Sequence, residues 1–232
     1  GEAHAEVRAL EAAGGDAAGA TAYVTLEPCN SQGRTPPCTE ALIAAGLARV
    51  IYGSEDPNPR MQHGAGRLRA AGIQVAGGLM DHEARELNPG FFKRHASGLP
   101  WVRVKLGMSL DARTALANGA SRWITGPAAR KDAQLFRARS SAILTGVGTV
   151  VADNPAMNVR LDGACRQPLR VVLDSTLRSP PGARIFDRAG DSLVIGVVDD
   201  AARRSALIGA GAQVAMSPAD SAGRPDLTAV LK

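Results

Sequence analysis

The chain has 232 residues, 45% of them hydrophobic and 21% charged, with a net charge of +5 and a pI near 9.6. That is ordinary globular composition, long enough for one large domain or two ordinary ones with a real core. Three cysteines make no disulfide framework, no apolar run is long enough to span a bilayer, and no signal-peptide pattern opens the chain. A reducing, cytoplasmic setting is expected. The positive charge allows an anionic partner such as a phosphorylated small molecule. Basic residues are scattered and aromatics make up only 3%, which argues against nucleic acid.

Residues 4–13, "HAEVRALEAA", read as a helix stopped by Gly14-Gly15. "TAYVTL", 21–26, is β-rich and bounded by turn signals, so a strand. A helix over 38–46 follows, with Pro36-Pro37 at its start and Gly46 at its end. A strand over 48–54, a helix over 64–72 and a strand over 73–78 come next. Residues 81–95 start as a helix and break at Asn88-Pro89-Gly90. Strand and helix alternate at short spacing, the pattern of a mostly parallel sheet covered by helices. "HASGLP", 95–100, interrupts it and marks a boundary.

A second pattern then begins. "WVRVKLGMSL", 101–110, alternates like a strand. Residues 125–140 read as a helix, with Thr125 as its cap and Pro127 in its first turn. Strands are expected over 142–150, 169–175 and 191–199, then a helix over 201–211 and a strand over 212–217. Neither "TGVGTV" nor "IGAGAQV" gives a dinucleotide-binding glycine fingerprint, so no Rossmann domain is expected.

The chemistry concentrates in "TLEPCNSQGRTPPC", 25–38. His4-Ala5-Glu6 precedes Pro28-Cys29 by one helix and one strand, and Cys38 follows. Zinc deaminases carry a His-x-Glu element and then Pro-Cys-x-x-Cys; here eight residues rather than two separate the cysteines. His4, Cys29 and Cys38 would be three ligands of a catalytic zinc, with the fourth position left for water. Glu6 would move the proton from that water to the leaving amine. Cys38 opens a helix, whose N-terminal dipole favours a thiolate. Two other readings stay open: a deaminase acting on nucleic-acid bases, and a non-catalytic binding module stapled by zinc. Cys165 has no ligand-type neighbour in sequence and is read as incidental.

"TLEPC…GRTPPC", "DPNP" at 56–59 and "LNPGF" at 87–91 resemble the bifunctional riboflavin-biosynthesis deaminase/reductase family. "VKLGMSLDARTA", "SRWIT", "LFRARSSAILTGVGTVVADNP" and "PLRVVLDS" resemble its reductase half. The resemblance implies an α/β protein. Residues 1–97 would be a cytidine-deaminase-like, three-layer, zinc-dependent pyrimidine deaminase domain. Residues 98–232 would be a dihydrofolate-reductase-like, NADPH-dependent α/β domain. It places further deaminase elements before residue 1 and a glycine-rich NADPH segment after residue 232, so both domains are read as incomplete.

Two reactions are implied. The first is deamination of a diaminopyrimidinone ribosylamine 5′-phosphate, and the second is NADPH reduction of its ribosyl group to ribityl. His4, Cys29 and Cys38 match the zinc ligands and Glu6 the catalytic residue. Ser121, Arg137, Met157 and Arg160 match substrate-binding positions. Gly107, Trp123, Thr149, Asp153 and Ser175 match positions on the NADPH side, and Lys105 is placed to assist. Taken alone, Arg137 and Arg139 would be solvated helix residues and Trp123 a core residue. The implied partners are a phosphorylated pyrimidine and NADPH, with no nucleic acid, no membrane and a homo-oligomeric state.

Two positions depart from the family pattern. Ser31 replaces the usual histidine of "PCSHxGRTPPC" and cannot carry an imidazolium charge, so substrate recognition in the deaminase site is expected to weaken or be re-routed. "SLDG" reads "SLDA", with Ala112 for glycine. If that position takes a positive φ, alanine costs on the order of 1 kcal/mol.

Overall fold

The computed structural model describes residues 3–121, 123–163, 166–187 and 192–232. Cys165 lies outside the described residues. The chain divides into two compact units, Gly1–Val102 and Arg103–Lys232.

In the first unit, α1 (Ala5–Ala13) leads through a short 3-10 turn to β1 (Thr21–Leu26). Then come α2 (Cys38–Ala44), β2 (Arg49–Ser54), α3 (Gly64–Ala70) and β3 (Gln74–Gly77). The unit ends with α4 (Asp81–Leu87) and α5 (Pro89–Ser97), divided at Asn88 because Pro89 opens a new helix rather than continuing the old one. The sheet order is β1-β2-β3 and all pairs are parallel. β2 is the central strand and its second half is buried, as parallel sheets covered by helices require. A side chain on Gly53 would come within 2.6 Å of the Ala84 Cβ, so the glycine lets α4 lie down on β2. Leu42, Leu47, Val50, Leu68 and Ile73 fill the core between sheet and helices. Each large aliphatic chain buried there contributes roughly 1.5–3 kcal/mol.

In the second unit, α6 (Pro127–Ala138) precedes β4 (Ala142–Gly146), α7 (Val147–Asp153), β5 (Leu169–Leu173) and β6 (Ser192–Gly196). α8 (Ala201–Gly209), β7 (Gln213–Met216) and α9 (Leu227–Val230) follow. The order is β4-β5-β6-β7, again all parallel. Val150, Val172, Ile185, Val194 and Leu207 form its core.

Three local expectations are corrected. Residues 101–110 form no strand, and Val104, Leu106 and Leu110 stay exposed. Alternation specifies the faces of a strand but supplies no partner, and among the described residues none pairs with this segment. The strand expected over 142–150 ends at Gly146, and Val147 starts a helix. The β-branched run 147–151 is helical because that geometry drives Val150 into the core, where it is 1% exposed. Thr125 does not cap α6; Gly126 holds that position without a side-chain cap, and the Thr125 carbonyl instead accepts from Arg130 Nη1.

Ala112 has φ +63°, inside a turn closed by Ser109 N–H to the Arg113 carbonyl and Ala112 N–H to the Ser109 carbonyl, both 2.9 Å. The left-handed conformation costs a non-glycine residue about 1–2 kcal/mol, part of which glycine gives back as unfolded-state entropy. Ala112→Gly should therefore raise stability by about 0.5–1 kcal/mol, read as a higher urea midpoint at unchanged slope.

Candidate active site and metal centre

Parallel strands put their carboxyl ends on one edge, and in α/β sheets that edge takes the ligand. Leu26 and Ser54 are paired at the ends of β1 and β2. The chain leaves β1 as Glu27-Pro28-Cys29. Glu27 is 8% exposed, and its carboxylate accepts from Ala65 N–H at 2.9 Å and Asp56 N–H at 3.4 Å. It thereby ties the end of β1 to the loop after β2 and to the start of α3. Gly64 fits against this corner because it has no side chain; a Cβ there would lie 1.9 Å from the Pro28 carbonyl oxygen.

Against this corner three donors converge. His4, at the N-terminal boundary of α1, has its Nδ1 3.2 Å from Cys38 Sγ and 3.6 Å from Cys29 Sγ. All three donor atoms lie within 4.8 Å of one another. Tetrahedral zinc with bonds of roughly 2.0–2.3 Å spaces its donors by about 3.3–3.8 Å, so the set fits that ion. Cys38 is the first residue of α2, and its N–H points at Cys29 Sγ at 3.3 Å. Thr39 N–H to the Cys29 carbonyl, 3.2 Å, holds the loop ends together. The Thr35 hydroxyl lies 3.4 Å from the other ring nitrogen of His4 and can orient the imidazole.

The electrostatics point the same way. Burial, the negative charge of Glu6 and contact with Cys29 push the Cys38 thiol far up. A site that resists ionising the Cys38 thiol is stabilised by a cation, which reverses the local balance. Glu6, in the first turn of α1, reaches Cys38 but does not belong to the donor cluster. Among the described residues the cluster has three members, one fewer than a closed structural zinc site requires.

His4 and Cys29 open into a cavity of about 800 Å³ whose walls also include Glu6, Asp56, Asn58 and Phe91. Asp56 is 5% exposed; burial raises its pKa, opposed by a hydrogen bond from Asn58 N–H at 2.8 Å. Sequence reasoning gave Asp56 and Asn58 no role, although "DPNP" was a visible signal. Ser31 is half-buried in the loop after Cys29 and does not line this cavity.

In the second unit the structure gathers some expected residues and leaves others apart. Arg137, on α6, is half-buried, and its Nη1 donates to the Asn158 carbonyl at 3.1 Å. Arg160 Nη1 donates to Asn158 Oδ1 at 2.9 Å, and Arg160 N–H to Gln134 Oε1 at 3.0 Å. Burial and the charge of Arg160 lower the Arg137 pKa, so two cations converge. The loop carrying Asn158 and Arg160 is strained: Asn154 and Met157 both take positive φ, 41° and 50°. Gln134 and Asn158, which fix the two arginines, carried no signal in the sequence. Arg139 is exposed.

Thr149 and Asp153 stand on α7, after β4, and Ser175 follows β5 on the same sheet edge. The Ser175 carbonyl accepts from Val197 and Val198 N–H at 3.0 and 2.8 Å. Trp123 is 73% exposed rather than a core residue, with the Arg130 guanidinium 4.3 Å from its ring centre. Lys105 Nζ lies 3.4 Å from where a side chain on Gly107 would begin. Ser121 is half-buried, with no contact to the arginine pair shown.

Fold and donor set together define an α/β protein with a deaminase-type metal centre and a separate, cation-bearing second unit. Residues 1–54 match the cytidine and deoxycytidylate deaminase zinc-binding region, and residues 100–219 match the RibD C-terminal domain. The chain belongs to the RibD riboflavin-biosynthesis family. It is 54% identical over 205 residues to the Escherichia coli riboflavin biosynthesis protein RibD, covering 83% of this chain and 56% of that protein. The Bacillus amyloliquefaciens protein of the same name is 43% identical over 234 residues, covering 100% and 63%. Acinetobacter baumannii RibD superposes with a TM-score of 0.85 at 44% identity, covering 93% of this chain and 61% of that one. A Thermotoga maritima diaminohydroxyphosphoribosylaminopyrimidine deaminase/5-amino-6-(5-phosphoribosylamino)uracil reductase gives 0.80 at 32% identity, covering 92% and 67%. The chain thus spans between half and two thirds of the length of the two sequence relatives. The family brings zinc and NADPH as its cofactors. Among the described residues no helix is long and apolar enough to cross a membrane.

Gly64→Ala should force Pro28 and Cys29 to move, costing about 1–3 kcal/mol of stability. Because Cys29 follows Pro28, a lower melting temperature should come with weaker zinc retention in chelator competition.

Proposed function

We propose that this chain catalyses two successive steps of riboflavin biosynthesis. In the first unit, water replaces the ring amino group of a diaminopyrimidinone ribosylamine 5′-phosphate and ammonia leaves. In the second, the deaminated product is reduced with NADPH and its ribosyl ring opens to a ribityl chain. The observation that carries the reading is the three-donor cluster with Glu6 beside it and no fourth protein donor among the described residues. It favours catalysis over a closed staple.

His4, Cys29 and Cys38 would hold the zinc, which supplies Lewis acidity that makes hydroxide available near neutral pH. Glu6 takes the proton released from water and delivers it to the departing amine as the C–N bond breaks. Asp56 and Asn58, on the cavity wall, are positioned to hydrogen-bond the base. In the second unit Arg137 and Arg160 offer planar, permanently charged donors to the 5′-phosphate, and the Met157 backbone and Ser121 complete that side. Thr149, Asp153, Ser175, Gly107 and Trp123 would bind NADPH, which supplies the hydride. Lys105 can provide the proton that the opening ring oxygen needs. The domain limits 1–97 and 98–232, a cytoplasmic location, a homo-oligomeric state and the exclusion of nucleic acid and membrane as partners belong to the same proposal.

The test gives the full-length protein both substrates and follows ammonia release and NADPH oxidation together. Ammonia first and NADPH loss second is the expected order, and would show that Ser31 is tolerated at the family's histidine position. A folded protein silent in both assays would refute the assignment. Glu6→Gln should lower ammonia release by roughly 100- to 10,000-fold while keeping its zinc, measured by metal analysis. Arg137→Ala should raise the reductase KM for the phosphorylated substrate by roughly 10- to 100-fold, read from steady-state NADPH oxidation.

A further inference from the structure

Helix α6 carries three polar side chains along one face. Arg130, Gln134 and Arg137 are spaced four and then three residues apart, which stacks them over successive turns. Gln134 Oε1 accepts from Arg160 N–H at 3.0 Å, and Arg137 Nη1 donates to the Asn158 carbonyl at 3.1 Å. Both belong to the arginine pair read above as the seat of the phosphate. Arg130 stands about 10 Å further toward the N-terminus of the helix and has no part in that pair.

Arg130 holds the chain that enters α6. Its N–H donates to the Gly126 carbonyl at 3.1 Å, and its Nη1 donates to the Thr125 carbonyl at 2.6 Å. The same guanidinium lies 4.3 Å from the centre of the Trp123 ring. One side chain therefore fixes both ends of the 123–125 segment. Trp123 is exposed, and an exposed indole with nothing against it has no fixed plane; the guanidinium supplies one. Arg130 is half-buried and makes no ion pair among the described residues, so no carboxylate neutralises its charge beside the indole.

An indole has two faces, and the guanidinium covers one of them. Of the NADPH molecule only the nicotinamide has to meet the substrate, because it carries the hydride. The substrate phosphate is assigned to the far end of the same helix face, so the part of the cofactor that reaches Trp123 is the nicotinamide. We infer that Arg130 is a positioning residue of the reductase. It backs the Trp123 indole, whose free face takes the nicotinamide, and its charge favours the neutral reduced ring over the oxidised one. When the hydride leaves with its electron pair, the nicotinamide ring becomes positive. The indole electrons already face the Arg130 cation, and the two like charges repel across the ring. Oxidised cofactor is thereby released and reduced cofactor retained. The inference rests on the reductase reading, because it deepens the role of Trp123 proposed there.

The test uses the full-length protein and its variants Arg130→Gln, Arg130→Lys and Trp123→Phe. Glutamine keeps a donor for the Thr125 carbonyl and removes the charge, whereas lysine keeps the charge. Dissociation constants of NADPH and NADP+ are measured by calorimetry, and tryptophan emission is followed during the same titrations. Wild type should bind NADPH more tightly than NADP+, and Arg130→Gln should lower that preference about 3- to 10-fold. Arg130→Lys should keep most of it. NADPH should quench emission in wild type, and Trp123→Phe should lose that quenching. No preference in wild type, an unchanged preference in Arg130→Gln, an equal fall in Arg130→Lys, or quenching that survives Trp123→Phe would each overturn the inference. NADPH oxidation by wild type together with an unshifted preference sinks the role of Arg130 and spares the reductase. A shifted preference without any NADPH oxidation on deaminated substrate sinks the reductase reading and spares Arg130.

Discussion

The first unit depends on one buried carboxylate. Glu27 takes two backbone N–H groups, from Asp56 and Ala65, at a place almost closed to water. A buried charge is costly unless hydrogen bonds replace its hydration, and here two separate chain segments supply them. The bond to Ala65 seats α3, and the bond to Asp56 fixes the loop that walls the large cavity. The next two residues are Pro28, against which Gly64 is pressed, and Cys29, a candidate metal donor. The same group that closes the sheet end therefore places the donor. Remove the carboxylate, and two amides lose their partners at the floor of the site.

The metal centre inverts the usual economy of a core. Two cysteines, 9% and 0% exposed, would ordinarily be inert small hydrophobes. Burial, the Glu6 carboxylate and the neighbouring Cys29 make an ionised thiol costly there, and the thiol of Cys38 answers by holding its proton. A divalent cation resolves the conflict, since it favours thiolates and neutral imidazole alike. The second unit shows the opposite sign. Arg137 and Arg160 are drawn together around Asn158 although like charges repel, and burial adds to the cost. In the second unit it is the contacts of both arginines to Asn158 that hold the like-signed pair in place.

What the sequence made legible follows from how local each feature is. Strands β1, β2, β5 and β6 announce themselves as short apolar runs between turn residues, and the helix break at Asn88-Pro89 is a property of one ring. The donor trio was readable because "PC…GRTPPC" is a local pattern, although its closure over 34 residues from His4 to Cys38 is not. Non-local outcomes were hidden. Val147–Asp153 has strand-like composition and folds as a helix because its partner is a core, not a ladder. Residues 101–110 have the alternation of a strand and no strand partner among the described residues. Gln134 and Asn158 became meaningful only once α6 and the 154–160 loop met.

Backbone strain marks the difference between scaffold and site more sharply than composition does. Ala112, Asn154, Met157 and Leu177 all hold positive φ in the second unit without being glycine. Three of the four border the arginine pair or the β5 loop. A left-handed Met or Leu persists only where surrounding bonds over-determine it, as Asp174 does for the turn containing Leu177. Ala112 differs in kind. Its turn is exposed, its neighbours tolerate glycine, and no contact shown repays its conformation. The strain at Leu177 comes with a fully buried carboxylate beside it, whereas the strain at Ala112 comes with nothing. Outliers of φ therefore differ in what holds them: buried bonds from Asp174 fix the β5 loop, whereas the 109–113 turn is a place where the chain forgoes stability.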